Sequence, residues 1–235
     1  MDPYLQVGPL SAYNSEILTI DGNTGTQMDV PPHSVARPSL NLPHSGRFGT
    51  EFTELTPAWK FVGEACIVDI RQLLNTTPNG QSSLVQVSHL KRWEKQNRPF
   101  RFGDVVMVRS DYTDKYYKPF PEGRRFIADP LEKKAPGWPD PHPDAMEYMA
   151  AKGVTAVGTD SPSMGPIPDL AEPTHYAGLK YGAIFTEDVR QKTNSYKLLA
   201  PLQDNLLKSE KLESFVRKMA LFIVDEEVTA KQFND

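Results

Sequence analysis

Residues 21–35 read DGNTGTQMDVPPHSV. Within them Asn23, Gln27, Asp29 and His33 stand four, two and four positions apart, so every gap is even. Pro31 and Pro32 exclude a continuous helix, because the proline ring removes a backbone donor and clashes with the preceding turn. In an extended strand, side chains two apart point the same way. Gln27 and Asp29 are therefore expected on one face, and turns at Gly25 and at the prolines would let Asn23 and His33 converge on them. Gly25 also allows close approach of backbone to a ligand. A carboxylate flanked by amides and a histidine can hold a divalent cation or a polar substrate. The same residue types also form ordinary turns.

The rest of the chain sets the context. Its 235 residues suffice for one sizeable core, and 39% hydrophobic and 24% charged residues are ordinary for a globular protein. The net charge of −4 is spread along the chain, which argues against a nucleic-acid partner. No apolar run reaches the length of a membrane span, and no signal-peptide core opens the sequence. A single cysteine, Cys66, lies in the apolar run FVGEACIVDI and reads as a buried thiol. These features predict a cytoplasmic protein without membrane contact. Many of the 21 prolines fall between 116 and 173, interleaved with Tyr116, Tyr117, Phe120, Phe126 and Trp138, which predicts ordered loops over a site.

Patterning predicts strands over 15–21, 64–70, 103–112, 155–161 and 181–188. Helices are expected over 86–97, capped by Ser88, and over 142–154, opened by Pro143 and Asp144 and closed by Gly153. Leu206, Leu207, Leu212, Phe215, Val216, Met219 and Ile223 form an apolar stripe at helical spacing near the C-terminus, suited to the core or to a second subunit. The irregular alternation of strands and helices indicates a mixed α/β domain. Catalytic residues are expected within 1–200, with 201–235 as a helical tail.

The opening segment resembles the signature of the metal-dependent cyclase family, which includes bacterial kynurenine formamidases and isatin hydrolases. That signature is H-x-G-T-H-x-D-x-P-x-H, and this chain reads N-T-G-T-Q-M-D-V-P-P-H, keeping Gly25, Thr26, Asp29, Pro31 and His33. The likeness continues in order through FGDVVMVRSDYTDKY, AMEYMAAKGVTAVGTDSPSM and HYAGLKYGAIFTED, where His175 and Glu187 stand twelve apart as a second ligand pair does in the family. Asn23 and Gln27 depart from the pattern, replacing two histidines. The tail beyond Glu187 departs as well.

The resemblance implies a swivelling β/β/α domain, with a mixed sheet packed by helices, assembled as a homodimer or homotetramer. It implies a hydrolase of carbon–nitrogen bonds in small amides (an aryl formamide or a cyclic amide), with one or two manganese or zinc ions activating the water that attacks the carbonyl. Asp29, His175 and Glu187 would ligate the metal, with Gln27 and Asn23 as an altered first site. His33 would move protons. Ser161, Ser163, Trp59 and Trp138 would lie near the substrate. Oxygen donors at 23 and 27 favour hard cations. Loss of both histidines also leaves open a metal-free lyase or cyclase, or a small-molecule binding protein without catalysis. His44, His89 and His142 read as surface or helix-start residues, and Arg124 and Arg125 as solvated loop residues.

Overall fold

A computed structural model describes residues 3–7, 12–16, 19 and 21–189. The expected helical tail at 201–235 lies outside the described residues. Strands β1 (Pro3–Val7) and β2 (Ala12–Glu16) form an antiparallel hairpin. Ser15 and Glu16 of the strand expected over 15–21 lie in β2, residues 17, 18 and 20 lie outside the described residues, and from Asp21 the chain runs through turns into β3 (Gln27–Asp29). After β3 the prolines do not extend the chain. Pro31–His33 close one 3-10 turn with Pro31 at its first position, where a missing N–H costs nothing.

The central sheet takes β3, then β9 (Ile184–Glu187), β8 (Ala156–Thr159), β6 (Val105–Arg109) and β4 (Ala65–Asp69) in that spatial order. All neighbours are parallel except β3, which runs antiparallel to β9 with Gln27 opposite Glu187 and Asp29 opposite Phe185. Every residue of β6 is buried, as expected for a strand covered on both faces. Strand alternation divides the apolar side chains. Val106, Val108, Val157 and Phe185 enter the larger core, and Val105, Met107, Ala156 and Ile184 the smaller one behind it.

Helices pack on the larger core. These are α1 (Val87–Gln96), contributing Leu90, α4 (Pro143–Ala151), contributing Met146 and Met149, and α5 (Ala171–Leu179), contributing Ala177 and Leu179. A short parallel pair, β5 (Leu84–Val85) with β7 (Asp140–Pro141), stands apart from the central sheet. Between them in sequence come α2 (Tyr112–Tyr116) and α3 (Ala128–Leu131), in the proline-rich stretch. The sheet is mostly parallel and packed by helices, which bears out the mixed α/β domain expected from the sequence.

Two details of helix entry differ from the expectation or refine it. Ser88 is not the cap of α1; Gln86 is, and its backbone N–H donates to Nδ1 of His89 at 2.9 Å. His142 caps α4, its Nδ1 accepting from the Asp144 N–H at 3.2 Å. Helix α5 comes close to the sheet because Gly178 carries no side chain. A Cβ there would meet Phe185 Cζ at 2.5 Å. That approach brings His175, on the same helix, over β9. Among the described residues no helix is long and apolar enough to cross a membrane.

Candidate metal centre

The antiparallel pairing of β3 with β9 assembles the site. Residues opposite one another across such a pair share a face, so Gln27 and Glu187 stand side by side and the Gln27 Nε2–H donates to Glu187 Oε2 at 2.7 Å. Asp29, two residues on, shares that face, whereas Met28 turns to the smaller core. Helix α5 delivers His175 from above. Its ring lies 5.8 Å from Phe185, and Nε2 is 3.1 Å from Glu187 Oε1 and 3.5 Å from Asp29 Oδ2.

The other ring nitrogen of His175 lies 2.8 Å from the carbonyl of Ala171. A carbonyl only accepts, so Nδ1 carries a proton and Nε2 faces the two carboxylates. A backbone partner of this kind orients a ligating histidine. Burial opposes charge on His175, yet the neighbouring carboxylates of Asp29 and Glu187 and the Ala171 carbonyl outweigh it and push its pKa up to about 10. Without a metal the ring therefore holds a proton between two acids.

His33 follows from the 3-10 turn. It stands four residues after Asp29, its Nδ1 3.8 Å from Asp29 Oδ1 and its ring 5.2 Å from that of His175. One ligand atom each from Asp29, His33 and His175 fall within 4.8 Å of one another. Asp29 and His175 are buried, whereas His33 is 40% exposed and forms the mouth. Gln27 Nε2 also reaches Asn23 Oδ1 at 3.3 Å, but Asn23 is exposed and its own amide donates to Asp21 Oδ1 at 2.8 Å.

Two buried atoms in this group have no hydrogen-bond partner among the described residues, Gln27 Oε1 and Asp29 Oδ2. Buried polar atoms are nearly always satisfied. Two orphaned oxygen acceptors beside a second carboxylate and a histidine are the donor set of a divalent cation site, so these residues fit the metal that the sequence motif implies.

The remaining expected site residues separate. Ser161 is buried, its Oγ 2.9 Å from Asp140 Oδ2, and its carbonyl accepts from the Asp188 N–H at 2.8 Å, next to Glu187. Ser163 is half-buried in the same loop, whose Met164 N–H donates to Glu187 Oε1. Trp138, expected near the substrate, is enclosed. It is 3% exposed, packs with Tyr112 and Phe126, and its Nε1–H donates to the Gly165 carbonyl at 3.0 Å. Trp59 is half-exposed, with its ring 5.8 Å from Phe102 just ahead of β6, two strands removed from β9. Arg125 is not a free loop arginine either, since it donates to Tyr112 Oη and Asn75 Oδ1. Asp140, which sequence reasoning passed over, anchors Ser161; its only sequence signal was an acid inside the proline-rich run.

Comparison with known proteins gives the family. Residues 3–166 match the family model described as "Putative cyclase". That span contains β3 and the 161–163 loop, while His175 and Glu187 lie beyond it. The isatin hydrolase of Roseibium aggregatum is 25% identical over 163 residues, covering 67% of this chain and 55% of that protein. The chain thus spans about half the length of this curated relative. A crystal structure of an isatin hydrolase bound to the product analogue thioisatinate superposes with a TM-score of 0.57 at 20% identity, covering 78% of this chain and 64% of that one. Isatin hydrolase A from Ralstonia solanacearum gives 0.55 at 19% identity, covering 80% and 66%. The structures establish the common fold, and the family model covers well over half of the sequence: the chain belongs to the Cyclase family.

Proposed function

We propose that the protein is a metal-dependent hydrolase of a carbon–nitrogen bond in a small amide, with isatin-like cyclic amides and aryl formamides as the substrates to test first. The observation that carries this reading is the convergence of Asp29 and Glu187 on His175, with Gln27 Oε1 and Asp29 Oδ2 buried there and without hydrogen-bond partners among the described residues. Asp29, His175 and Glu187 would hold the cation, with Gln27 contributing its amide oxygen, and manganese or zinc is the expected ion. When bound, such a cation supplies Lewis-acid polarisation of a carbonyl and acidifies bound water.

The chain's own residues account for the rest. Asp29 and Glu187 supply negative charge in a buried setting, where electrostatic interactions are strong. Ala171 holds the His175 ring with Nε2 inward. His33, at the exposed mouth and beside Asp29 Oδ1, is placed to take a proton from the attacking water and return it to the departing nitrogen. The C–N bond breaks, the water oxygen joins the carbonyl carbon, and the proton ends on nitrogen. The same reading includes self-association as a dimer or tetramer, which light scattering would measure.

Metal content of the purified protein, read by mass spectrometry beside hydrolysis assays on isatin and N-formylkynurenine with and without EDTA, tests the proposal. One or two equivalents of metal with EDTA-sensitive turnover is the expected result. A protein that takes up no manganese or zinc would lose this reading to the binding-protein alternative.

A further inference from the structure

Glu187 Oε1 is held by two groups, Nε2 of His175 and the backbone N–H of Met164. Met164 lies in the 161–165 loop, which belongs to no helix or strand. An irregular loop does not fix an N–H by its own ladder, so its shape must come from outside.

That outside group is Asp140, fully buried at the start of β7. Its Oδ2 accepts from the Gly165 N–H at 2.8 Å, on one side of Met164. On the other side the Ser161 hydroxyl lies 3.0 and 2.9 Å from the two carboxylate oxygens, and Thr159 Oγ1 donates to Oδ1 at 2.8 Å. One carboxylate therefore clamps the loop at both ends, with the Met164 N–H between them. Gly165 is needed at its end: its φ is +145°, and a Cβ would meet Ala171 Cα at 2.6 Å.

Asp140 is itself fixed, its N–H donating to the Ser83 carbonyl at 3.1 Å beside the β5 pairing. The next residue extends the connection. The Pro141 carbonyl accepts from Thr174 Oγ1 at 3.0 Å, one position before His175. A single buried dipeptide thus reaches both the loop that holds Glu187 and the helix that carries His175.

We propose that Asp140 is a positioning residue for the cation site, clamping the 161–165 loop so that the Met164 N–H orients the Glu187 carboxylate. This rests on the reading of the Asp29–His175–Glu187 cluster as a cation site. Its role is geometric, so an asparagine can substitute: its carbonyl accepts from Gly165 and its amide donates to the Thr159 and Ser161 hydroxyls, which turn to accept.

The test is titration of the EDTA-treated protein with Mn²⁺ alone, followed by electron paramagnetic resonance. Asp140→Ala is expected to weaken Mn²⁺ binding by about 10–100-fold, the range for an outer partner of a ligand. Ser161→Ala should weaken it by about threefold or more, one hydrogen bond's worth. Asp140→Asn should stay within about threefold of the unaltered chain. Unchanged affinity in Asp140→Ala overturns the clamp, and so does equal loss in Asp140→Asn, which would assign the effect to charge. Where Asp140→Ala fails to fold, Ser161→Ala decides, and wild-type affinity in that variant overturns the proposal. An unaltered chain that binds no Mn²⁺ defeats the site reading itself, a different result from a binding chain indifferent to Asp140.

Discussion

Two buried ionic groups in this protein make opposite use of their charges. At the β4 edge, Asp104 accepts from Arg98 at 2.6 and 2.9 Å and from the Arg101 N–H at 2.8 Å, and Arg98 also pairs with Glu64 at 2.9 Å. At the β3 edge, Asp29 and Glu187 share one histidine, and Asp29 Oδ2 and Gln27 Oε1 are left without hydrogen-bond partners. The first group is saturated, as a structural ion pair must be to offset desolvation. The second sets two carboxylates against one histidine and keeps two buried oxygen acceptors without hydrogen bonds, an arrangement that fits a cation site, and the proposed function rests on it.

Breaking the second group should have the largest effect. Asp29→Ala is expected to abolish stoichiometric metal binding and EDTA-sensitive hydrolysis. Retained metal in that variant would remove Asp29 from the site. His33→Ala should separate proton transfer from cation holding: turnover falls by about 10²–10⁴-fold, the range for a general acid–base, with metal stoichiometry preserved.

Breaking the first group should move stability alone. Arg98→Ala strands the Asp104 carboxylate at 4% side-chain exposure, and removing one partner of a buried pair costs about 3–5 kcal/mol. Denaturant unfolding would show this loss, and metal content per folded molecule should not change. A drop in metal content would mean that the two edges are coupled through the sheet.

A third carboxyl sharpens the contrast because neutral donors satisfy it. Asp160 accepts from the Ser110 N–H and hydroxyl and from the Tyr112 N–H. Burial, only partly offset by these donors, pushes its pKa up to about 6. In an unfolded chain the group titrates near 3.9. Between those values the folded state binds more protons, so this group's contribution to stability is greatest below about pH 4 and declines as pH rises through about 6. Asp160→Asn should remove that component, on the order of 3 kcal/mol, from the pH dependence of unfolding. An unaltered slope in the variant would assign it to other acids. The smallest change is expected at the rim. Asn23 is exposed and occupied with Asp21, so Asn23→Ala should shift Mn²⁺ affinity by less than about threefold, as a calorimetric titration would read.

Local chemistry made much of the fold legible in the chain. The valine-rich run at Val105–Arg109 became β6, a strand of the central sheet buried on both faces. Pro143 opens α4, and Gly153 follows it with φ +82°. The even spacing of Gln27 and Asp29 put both on one face, and the motif around them carried the family. Of the strand expected before that motif, Ser15 and Glu16 lie in β2, and residues 17, 18 and 20 lie outside the described residues. Trp138 reads as a loop aromatic by its neighbours Gly137 and Pro139, yet Tyr112 and Phe126, far from it in sequence, enclose it.

The sequence by itself determined which residue types were available to bind a cation, because strand periodicity and turn chemistry act over a few residues. Only the tertiary structure decided which of them meet. Antiparallel pairing sets Gln27 opposite Glu187 across 160 positions, and the missing side chain of Gly178 lets His175 come down over them. Asp140 takes its place from burial alone, through contacts with Ser161 and Gly165 that no local spacing encodes.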